Sequence, residues 1–327
     1  MKILVYSFRA FDEKAFFDSL CAEAGFEYVT CPDYPSVENA HLAKGCDAIS
    51  IIVCDMNEAL LRALHAQGVR YICTRSIGTE HIDMKTARAL SMRVASAVYS
   101  PDSVANYAIM LMLMACRKFP YVLDRARMQD YSLPGKRGRE LSRMTVGVIG
   151  LGRIGRTVLR HLSGFGCRLL GYDVHPGAGV DELCELCDLR TIYRESDVIT
   201  LHCPATKENH HMIDAGAIAA MKEDVILINT ARGDLIDTMA LVGALESGKV
   251  GAAALDVIEN EYGLYYINHT GEAMANRELA LLSSFPNVIV APHTAFYTDV
   301  SVSDMARCTV EACRAFSLGE PYAFEVK

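Results

Sequence analysis

The sequence predicts an α/β protein in which two doubly wound parallel sheets form separate domains. Short β-rich runs alternate with amphipathic helical segments along nearly all of the 327 residues. Such alternation is typical of right-handed β-α-β crossovers, which bring parallel strands side by side. The β-rich runs are continuously apolar, as in sheets that are covered on both faces. At roughly 150 residues per domain, the length indicates about two domains.

The N-terminal region contains four strand candidates with helical segments between them. Its opening residues, Lys2 to Tyr6, already have a strand-like pattern. The predicted strands are residues 3–6, 48–53, 71–74 and 94–97, and the predicted helices are residues 12–24, 57–67 and 83–90.

A further helix is predicted to begin near Pro101 and to continue through Lys118. Ser100 can cap it, Pro101 suits the first turn, and Asp102 favours the positive end of the helix. The middle of this helix is apolar on nearly every side, which predicts burial all round. We therefore expect it to lie between two domains or two subunits.

The second region repeats the alternation with six strand candidates, after a loop predicted at residues 130–140. Its predicted strands are residues 145–149, 168–172, 198–202, 225–229, 252–256 and 288–291, and its predicted helices are residues 153–165, 214–221 and 238–247.

Composition and charge argue against several classes of partner. The formal net charge is −8 and the basic residues are scattered, which disfavours nucleic acid and anionic membrane surfaces. The longest apolar run, residues 107–116, has about half the length of a bilayer span. The N-terminal residues do not have the pattern of a signal peptide, so we expect a cytoplasmic protein.

The cysteines are expected to be free thiols in a reducing compartment. There are 12 of them, dispersed along the chain, and several lie in apolar runs. Cys184 and Cys187 form one Cys-x-x-Cys pair in an acidic, helix-like stretch. Because a second pair at metal spacing is missing, we expect no structural zinc there and no bound metal.

The sharpest local signal is a Gly-x-Gly-x-x-Gly motif that follows the strand at residues 145–149 and opens a helix. Gly150 allows a tight turn, Gly152 lets the backbone approach a pyrophosphate, and Gly155 lets helix and strand pack closely. The helix N-terminus then offers unpaired N–H groups to the phosphates. The motif therefore predicts a dinucleotide site.

Asp173 supplies the second half of this signal. It lies at the end of the next predicted strand, where a carboxylate accepts hydrogen bonds from the adenosine ribose hydroxyls. The same carboxylate would repel a 2′-phosphate. The cofactor is therefore predicted to be NAD rather than NADP.

Arg232, Glu261 and His293 lie in segments that follow three other predicted strands. Taken singly, each residue type is more often a surface ion-pair partner or a solvated side chain. Together, at the strand ends where open α/β sheets bind ligands, they suit hydride transfer to a 2-oxo acid. Arginine holds a carboxylate with two donors, and histidine exchanges protons near neutral pH. A neighbouring carboxylate favours the protonated imidazolium.

These motifs resemble the D-2-hydroxyacid dehydrogenases. Within that family, the chain is most similar to the D-lactate dehydrogenase branch, in the form associated with glycopeptide resistance. The likeness runs in order along almost the entire chain. It is carried by residues 74–83, 99–105, 147–155, 229–233, 254–257 and 292–298.

The resemblance implies roles for individual residues. Arg232 would anchor the substrate carboxylate and carbonyl, His293 would donate the proton, and Glu261 would orient His293. Substrate contacts are implied for the backbone of Ile77 and Gly78, for Tyr99, and for Phe296 in the side-chain pocket. Cofactor contacts are implied for Gly150, Gly152, Arg153, Ile154, Gly155, Asp173, Cys203, Pro204, Asn209, Thr230, Ala231 and Asp256.

The resemblance also implies a split layout. Residues 1–99 with residues 299–327 would form the substrate-binding domain, and residues 100–298 the NAD-binding Rossmann-like domain, with an active-site cleft between them. A homodimer is usual in this group.

The expected function is NADH-dependent reduction of a small 2-oxo acid to the D-2-hydroxy acid, with pyruvate favoured. Ile52 and Val53 stand where many D-lactate enzymes have an aromatic residue, so bulkier 2-oxo acids stay open. Glyoxylate and hydroxypyruvate are further alternatives within the class. An NAD-sensing, corepressor-like binding protein is the alternative of another class. His202 is not expected to act directly in catalysis.

Overall fold

The computed structural model describes residues 1–261, 263–274 and 276–326. The chain divides into two compact units. Unit 1 comprises Met1–Ser100 and the chain from Tyr297 onward, and unit 2 comprises Pro101–Phe296. The assignment of substrate binding to the first and cofactor binding to the second remains a prediction.

The elements are numbered along the chain. The strands are β1 (Lys2–Val5), β2 (Glu27–Thr30), β3 (Ala48–Ile51), β4 (Tyr71–Thr74), β5 (Arg93–Ser96), β6 (Thr145–Ile149), β7 (Arg168–Tyr172), β8 (Glu185–Leu186), β9 (Val198–Leu201), β10 (Val225–Asn229), β11 (Val250–Leu255) and β12 (Val288–Val290). The helices are α1 (Lys14–Ala24), α2 (Glu58–Ala66), α3 (Met84–Ala89), α4 (Pro101–Cys116), α5 (Phe119–Arg127), α6 (Arg153–Leu162), α7 (Leu189–Glu195), α8 (Ala215–Ala220), α9 (Thr238–Ser247), α10 (Arg277–Ser284) and α11 (Asp299–Ser317).

The sheet of unit 1 has the strand order β2-β1-β3-β4-β5, and its strand pairs are parallel. Successive residues of β1 face opposite sides of this sheet. Ile3 enters the core that contains Phe17 of α1 and Phe316 of α11, whereas Leu4 enters the core that contains Leu61 of α2. Both faces are covered, as the continuously apolar strands predict.

The sheet of unit 2 has the strand order β12-β11-β10-β9-β6-β7-β8, also with parallel pairs. One face packs against α4 and α6 through residues such as Val148 and Ile228. The other face contains Leu227 and Leu255 and packs against Leu241 of α9. The expectation of two parallel α/β sheets is confirmed.

One detail of the prediction was wrong. The stretch around Cys184 and Cys187 is not helical, because Glu185–Leu186 extends the sheet edge by pairing with Leu170 and Gly171 of β7. Helix α4 is covered only in part within the single chain, where Met110 keeps 41% of its surface exposed, and its position between two domains or two subunits stays a prediction. Its covered side packs on α6, β10 and β11. A homodimer remains a prediction.

Several elements were not predicted from the sequence, among them α5, α7, α10, α11 and the edge strand β2. In the part of the chain that the structure describes, no helix has the length and apolarity needed to cross a bilayer.

Candidate active site

The glycine-rich turn between β6 and α6 has the close contacts that its motif requires. Gly150 has a positive φ of 93°, and a side chain there would collide with the backbone of Cys203. A Cβ on Gly155 would overlap the carbonyl oxygen of Gly150. Gly152 is the N-cap of α6, and a Cβ added there would meet no described heavy atom within 4 Å. The absence of a side chain thus leaves room in front of the helix N-terminus.

Asp173 follows β7 and stabilises this turn through hydrogen bonds. Its Oδ2 accepts the N–H of Leu151 at 2.6 Å, and its Oδ1 accepts the N–H of His175 at 2.8 Å. The carboxylate is therefore held beside the glycine motif. Its contact with a ribose remains a prediction.

The residues at these strand ends fit a dinucleotide. Arg153 and Ile154 occupy the first turn of α6, whose N–H groups point toward the space left by Gly152. Thr230, just after β10, has a buried hydroxyl that finds no hydrogen-bond partner among the described residues. A buried hydroxyl of this kind is expected to bond to a ligand.

Asn209 organises the loop after β9. Its Nδ2 donates to the carbonyl oxygen of Pro204 at 2.8 Å, and its Oδ1 accepts the N–H of Thr206 at 2.7 Å. Asn209 therefore shapes the segment that contains Cys203 and Pro204. Direct contact of any of these residues with the cofactor remains a prediction.

His293 and Glu261 form a hydrogen-bonded pair across 32 positions of sequence. The Nδ1 of His293 lies 2.7 Å from Oε1 of Glu261, and their side chains keep 23% and 20% of their surface exposed. The other oxygen of Glu261 accepts the N–H of Ile258 at 3.2 Å. Because Nδ1 is engaged by the carboxylate, Nε2 is the ring nitrogen left for a substrate.

Asp256 holds the loop that carries His293. Its carboxylate is fully buried and accepts the N–H groups of Thr294 and Ala295 at 2.9 and 2.8 Å. Its carbonyl oxygen accepts the N–H of His293 itself at 2.8 Å. Burial raises the pKa of Asp256, and the two backbone donors oppose that rise. Its cofactor contact remains a prediction, whereas its hydrogen bonds to the backbone of the His293 loop are present in the structure.

Arg232 is positioned by the buried side chain of Asn229 at the end of β10. Asn229 donates to the carbonyl oxygen of Arg232 at 2.8 Å and accepts the N–H of Ala231 at 3.0 Å. Gly233 packs so tightly that a Cβ would overlap the backbone of Ile258. The Arg232 loop is thereby packed against the segment that leads to Glu261.

Comparisons with known proteins agree with this geometry. The family model described as the NAD binding domain of D-isomer specific 2-hydroxyacid dehydrogenases matches residues 109–295. The chain is 42% identical to an aromatic 2-oxoacid reductase of Clostridium sporogenes over 321 residues, which are 97% of each chain. It is 43% identical to a D-specific alpha-keto acid dehydrogenase of Enterococcus faecalis over 285 residues, 87% of each chain.

The chain belongs to the D-isomer-specific 2-hydroxyacid dehydrogenases. The family expected from its motifs is confirmed, as is NAD as the cofactor. The structure is also similar to the apo-structure of D-lactate dehydrogenase from Escherichia coli, with a TM-score of 0.88 and 35% identity over 100% of both chains. The reaction is NAD-dependent reduction of a 2-oxo acid to a D-2-hydroxy acid.

Aromatic side chains surround the histidine of this dehydrogenase. The hydroxyl of Tyr266 donates to the carbonyl oxygen of His293 at 2.7 Å. The rings of Tyr266 and Phe296 meet edge to face with their centroids 6.3 Å apart, and Phe296 lies equally far from the His293 ring. The neighbouring Tyr265 is largely buried, whereas Tyr266 is half exposed. Tyr266 therefore lines the site with Phe296.

In unit 1 of the dehydrogenase, the predicted substrate residues lie on short loops after β4 and β5. Gly78 is held because its carbonyl oxygen accepts the Ser76 hydroxyl at 2.8 Å. Ser76 is tied to the β5 end through its carbonyl oxygen, which accepts the N–H of Ala97 at 3.0 Å. Ile77 projects with 40% of its surface exposed, and Tyr99 is partly buried. Their contacts with substrate remain predictions.

Sequence reasoning missed the residues that hold the site in shape. Asn229 was seen only as part of a motif and Asp256 only as an implied cofactor contact, yet they form the hydrogen bonds that position Arg232 and the His293 loop. Tyr266 was not among the site residues assigned from the sequence. The sequence signal that could have found Asn229 and Asp256 is a polar residue at the end of an apolar strand. Such a residue is buried with the strand, so its side chain must form hydrogen bonds nearby.

Proposed function

We propose that this dehydrogenase acts on 2-oxo acids whose side chain is apolar and larger than a methyl group, with aromatic ones first. The observation that supports this most is the pair of rings, Tyr266 and Phe296, beside His293. Aromatic rings favour edge-to-face contact with another ring, which adds to the gain from burying it. The Clostridium sporogenes relative is an aromatic 2-oxoacid reductase, which supports the same class.

In the proposed mechanism, bound NADH supplies the hydride that attacks the carbonyl carbon. Arg232 binds the substrate carboxylate with two donors and polarises the carbonyl oxygen. His293 donates its Nε2 proton to that oxygen as the hydride arrives. Glu261 holds the ring through Nδ1, which leaves Nε2 to the substrate. The product is the 2-hydroxy acid, and His293 is left neutral.

The remaining substrate and cofactor contacts are part of the same proposal. The backbone of Ile77 and Gly78 binds the carboxylate, and Tyr99 lies beside the substrate. Asp173 accepts hydrogen bonds from the ribose hydroxyls and disfavours NADPH.

Pyruvate, which the sequence favours, is the second candidate substrate. The likeness to the Escherichia coli D-lactate dehydrogenase structure supports it. The two candidates differ in the size of the side chain that the aromatic pair must accommodate.

A panel of 2-oxo acids tests the proposal by NADH oxidation at 340 nm. We expect kcat/KM for phenylpyruvate to exceed that for pyruvate at least about tenfold, and Phe296→Ala to reduce this ratio about tenfold through the lost ring contact. Phe165→Ala, at an exposed position of unit 2, is the matched control and should leave the ratio unchanged. A preference for pyruvate that Phe296→Ala leaves unaltered would refute the aromatic class.

The role of His293 is tested by His293→Gln, which removes the proton donor. We expect kcat to fall about 10²–10⁴-fold while NADH binding, followed by fluorescence, is retained. His269→Gln is the control, because His269 forms an exposed pair with Glu272 at the same 2.7 Å distance. Turnover of His293→Gln at the wild-type rate would refute the proposal that His293 donates the proton.

A further inference from the structure

A second cluster of nitrogen and oxygen ligands lies in unit 2, outside the residues used for hydride transfer. His210, His211 and Glu259 each offer one ligand atom, and these atoms all lie within 4.8 Å of one another. The two histidines lie in the loop between β9 and α8, and Glu259 follows β11. Sequence analysis found no metal spacing here because 48 positions separate His211 from Glu259.

Two members of the cluster are held firmly by backbone contacts. One oxygen of Glu259 accepts the N–H of Thr238 at 2.8 Å, and the other lies 2.6 Å from Nε2 of His211. His211 adopts a positive φ of 53°, and its N–H donates to the carbonyl oxygen of Asp234 at 2.8 Å. Hydrogen bonds that orient ligand side chains in this way are typical of metal centres.

The position of His210 distinguishes this cluster from a simple hydrogen-bonded pair. The bond between His211 and Glu259 would be enough to join the two loops, and it does not involve His210. Yet the ring of the exposed His210 stacks on the ring of His211, with the centroids 3.8 Å apart. Two imidazole nitrogens and one carboxylate oxygen form a donor set that suits Zn²⁺ and related divalent transition metals.

We propose that His210, His211 and Glu259 form a binding site for a divalent transition-metal ion of the Zn²⁺ type. The ion replaces the hydrogen bond between His211 and Glu259, and water completes its coordination. It links the loop after β9 to the segment after β11. The site is separate from hydride transfer, which uses Arg232, His293 and Glu261.

Co²⁺ is the probe that tests this site, because its visible absorption reports the ligands. We expect the full chain, first treated with EDTA, to bind one equivalent of Co²⁺ with saturable absorption bands. His210→Ala should weaken binding at least about tenfold, because one of three protein ligands is lost. His269→Ala is the matched control and should bind Co²⁺ like the wild type, since no third potential ligand joins the His269–Glu272 pair among the residues that the structure describes.

Thermal unfolding with Zn²⁺ gives a second readout. Zn²⁺ should raise the Tm of the wild type and of His269→Ala but not that of His210→Ala, because only a ligand bound to the folded state stabilises it. EDTA-treated His210→Ala should keep wild-type NADH oxidation, which shows that the variant is folded. Absence of saturable Co²⁺ binding, equal binding by His210→Ala, or a loss in His269→Ala would each overturn the proposal.

Discussion

The two units bury polar groups at their strand ends in different ways. After β4 in unit 1, the fully buried Arg75 pairs with Glu13 across 3.1 Å and donates to backbone oxygens of Tyr6 and Ser7. In unit 2, the buried carboxylate of Asp256 is satisfied by backbone N–H groups of its own loop system. Unit 1 therefore neutralises a buried charge with an opposite charge, and unit 2 does so with dipoles.

The difference bears on function. Because backbone donors satisfy both oxygens of Asp256, its carboxylate does not require a cationic side chain as a partner. His293 and Glu261 stay partly exposed, as groups that meet a substrate must be. In unit 1, Arg75 of the ion pair precedes Ile77 and Gly78 in the chain by two and three positions. One unit thus holds its buried charge with an opposite charge, and the other with backbone donors.

The largest effect is expected from breaking the ion pair of unit 1. Glu13→Gln removes the carboxylate that Arg9 and the fully buried Arg75 share, and truncating one member of such a buried pair costs about 3–5 kcal/mol. Chemical denaturation of the purified protein measures this free energy of unfolding. Arg62→Met is the control, because the Arg62–Glu58 pair is more than half exposed and should contribute under about 1 kcal/mol. Equal losses in the two variants would contradict the comparison.

An intermediate effect is expected from Asp256→Asn in unit 2. The amide keeps one acceptor oxygen, so one of the N–H groups of Thr294 and Ala295 loses its bond, at a cost of about 1.5–3 kcal/mol. kcat should fall as well, because the His293 loop loosens. Asp237→Asn is the matched control, since asparagine caps α9 as well as aspartate does. If Asp256→Asn were as stable and as active as the wild type, Asp256 would not anchor the His293 loop.

The smallest effect on stability is expected from His202, a buried side chain of unit 2 that is uncharged. His202, after β9, bonds to Thr200 through Nε2, and burial lowers the pKa of its imidazole to about 3. An unfolded histidine titrates near 6.5, so between these values the unfolded chain binds more protons. The contribution of His202 to stability is therefore complete above pH 6.5 and is lost as the pH falls toward 3.

Urea unfolding at pH 7 and pH 5 measures this loss. The wild type should lose up to about 2 kcal/mol more than His202→Gln on going to pH 5, because glutamine does not titrate. Other acidic and basic groups are common to both proteins and cancel in the difference. An identical loss in both proteins would show that His202 accepts a proton in the folded state.

Much of the sheet architecture could be predicted from local patterns. The strands at residues 71–74, 145–149, 168–172 and 225–229 and the helix at residues 238–247 begin and end where the sequence predicts. These segments are uniformly apolar or clearly capped. The edge strands β2 and β8 carry polar residues and were missed, because an edge strand is stabilised by its neighbour rather than by its own pattern.

The sequence predicted which residues belong to the candidate site, but it did not predict the hydrogen bonds and ion pairs that hold them in place. The glycine motif, Arg232, Glu261 and His293 stand out in the sequence because strand ends rarely combine such residues. The partnership of Asp256 with Thr294, or of Glu13 with Arg75, joins residues 38 and 62 positions apart. No local preference specifies such a pair.

Local chemistry in the chain determined the class of fold and the dinucleotide turn, and it singled out Arg232, Glu261 and His293 as the candidate reacting side chains. Strand propensity, apolar periodicity and the steric freedom of Gly150 act over a few neighbouring residues, so they can be read directly. Tertiary structure alone decided the strand order, the hydrogen bond between His293 and Glu261, and the meeting of His210 with Glu259. Those contacts form only when burial of the two sheets offsets the entropy lost by ordering distant loops.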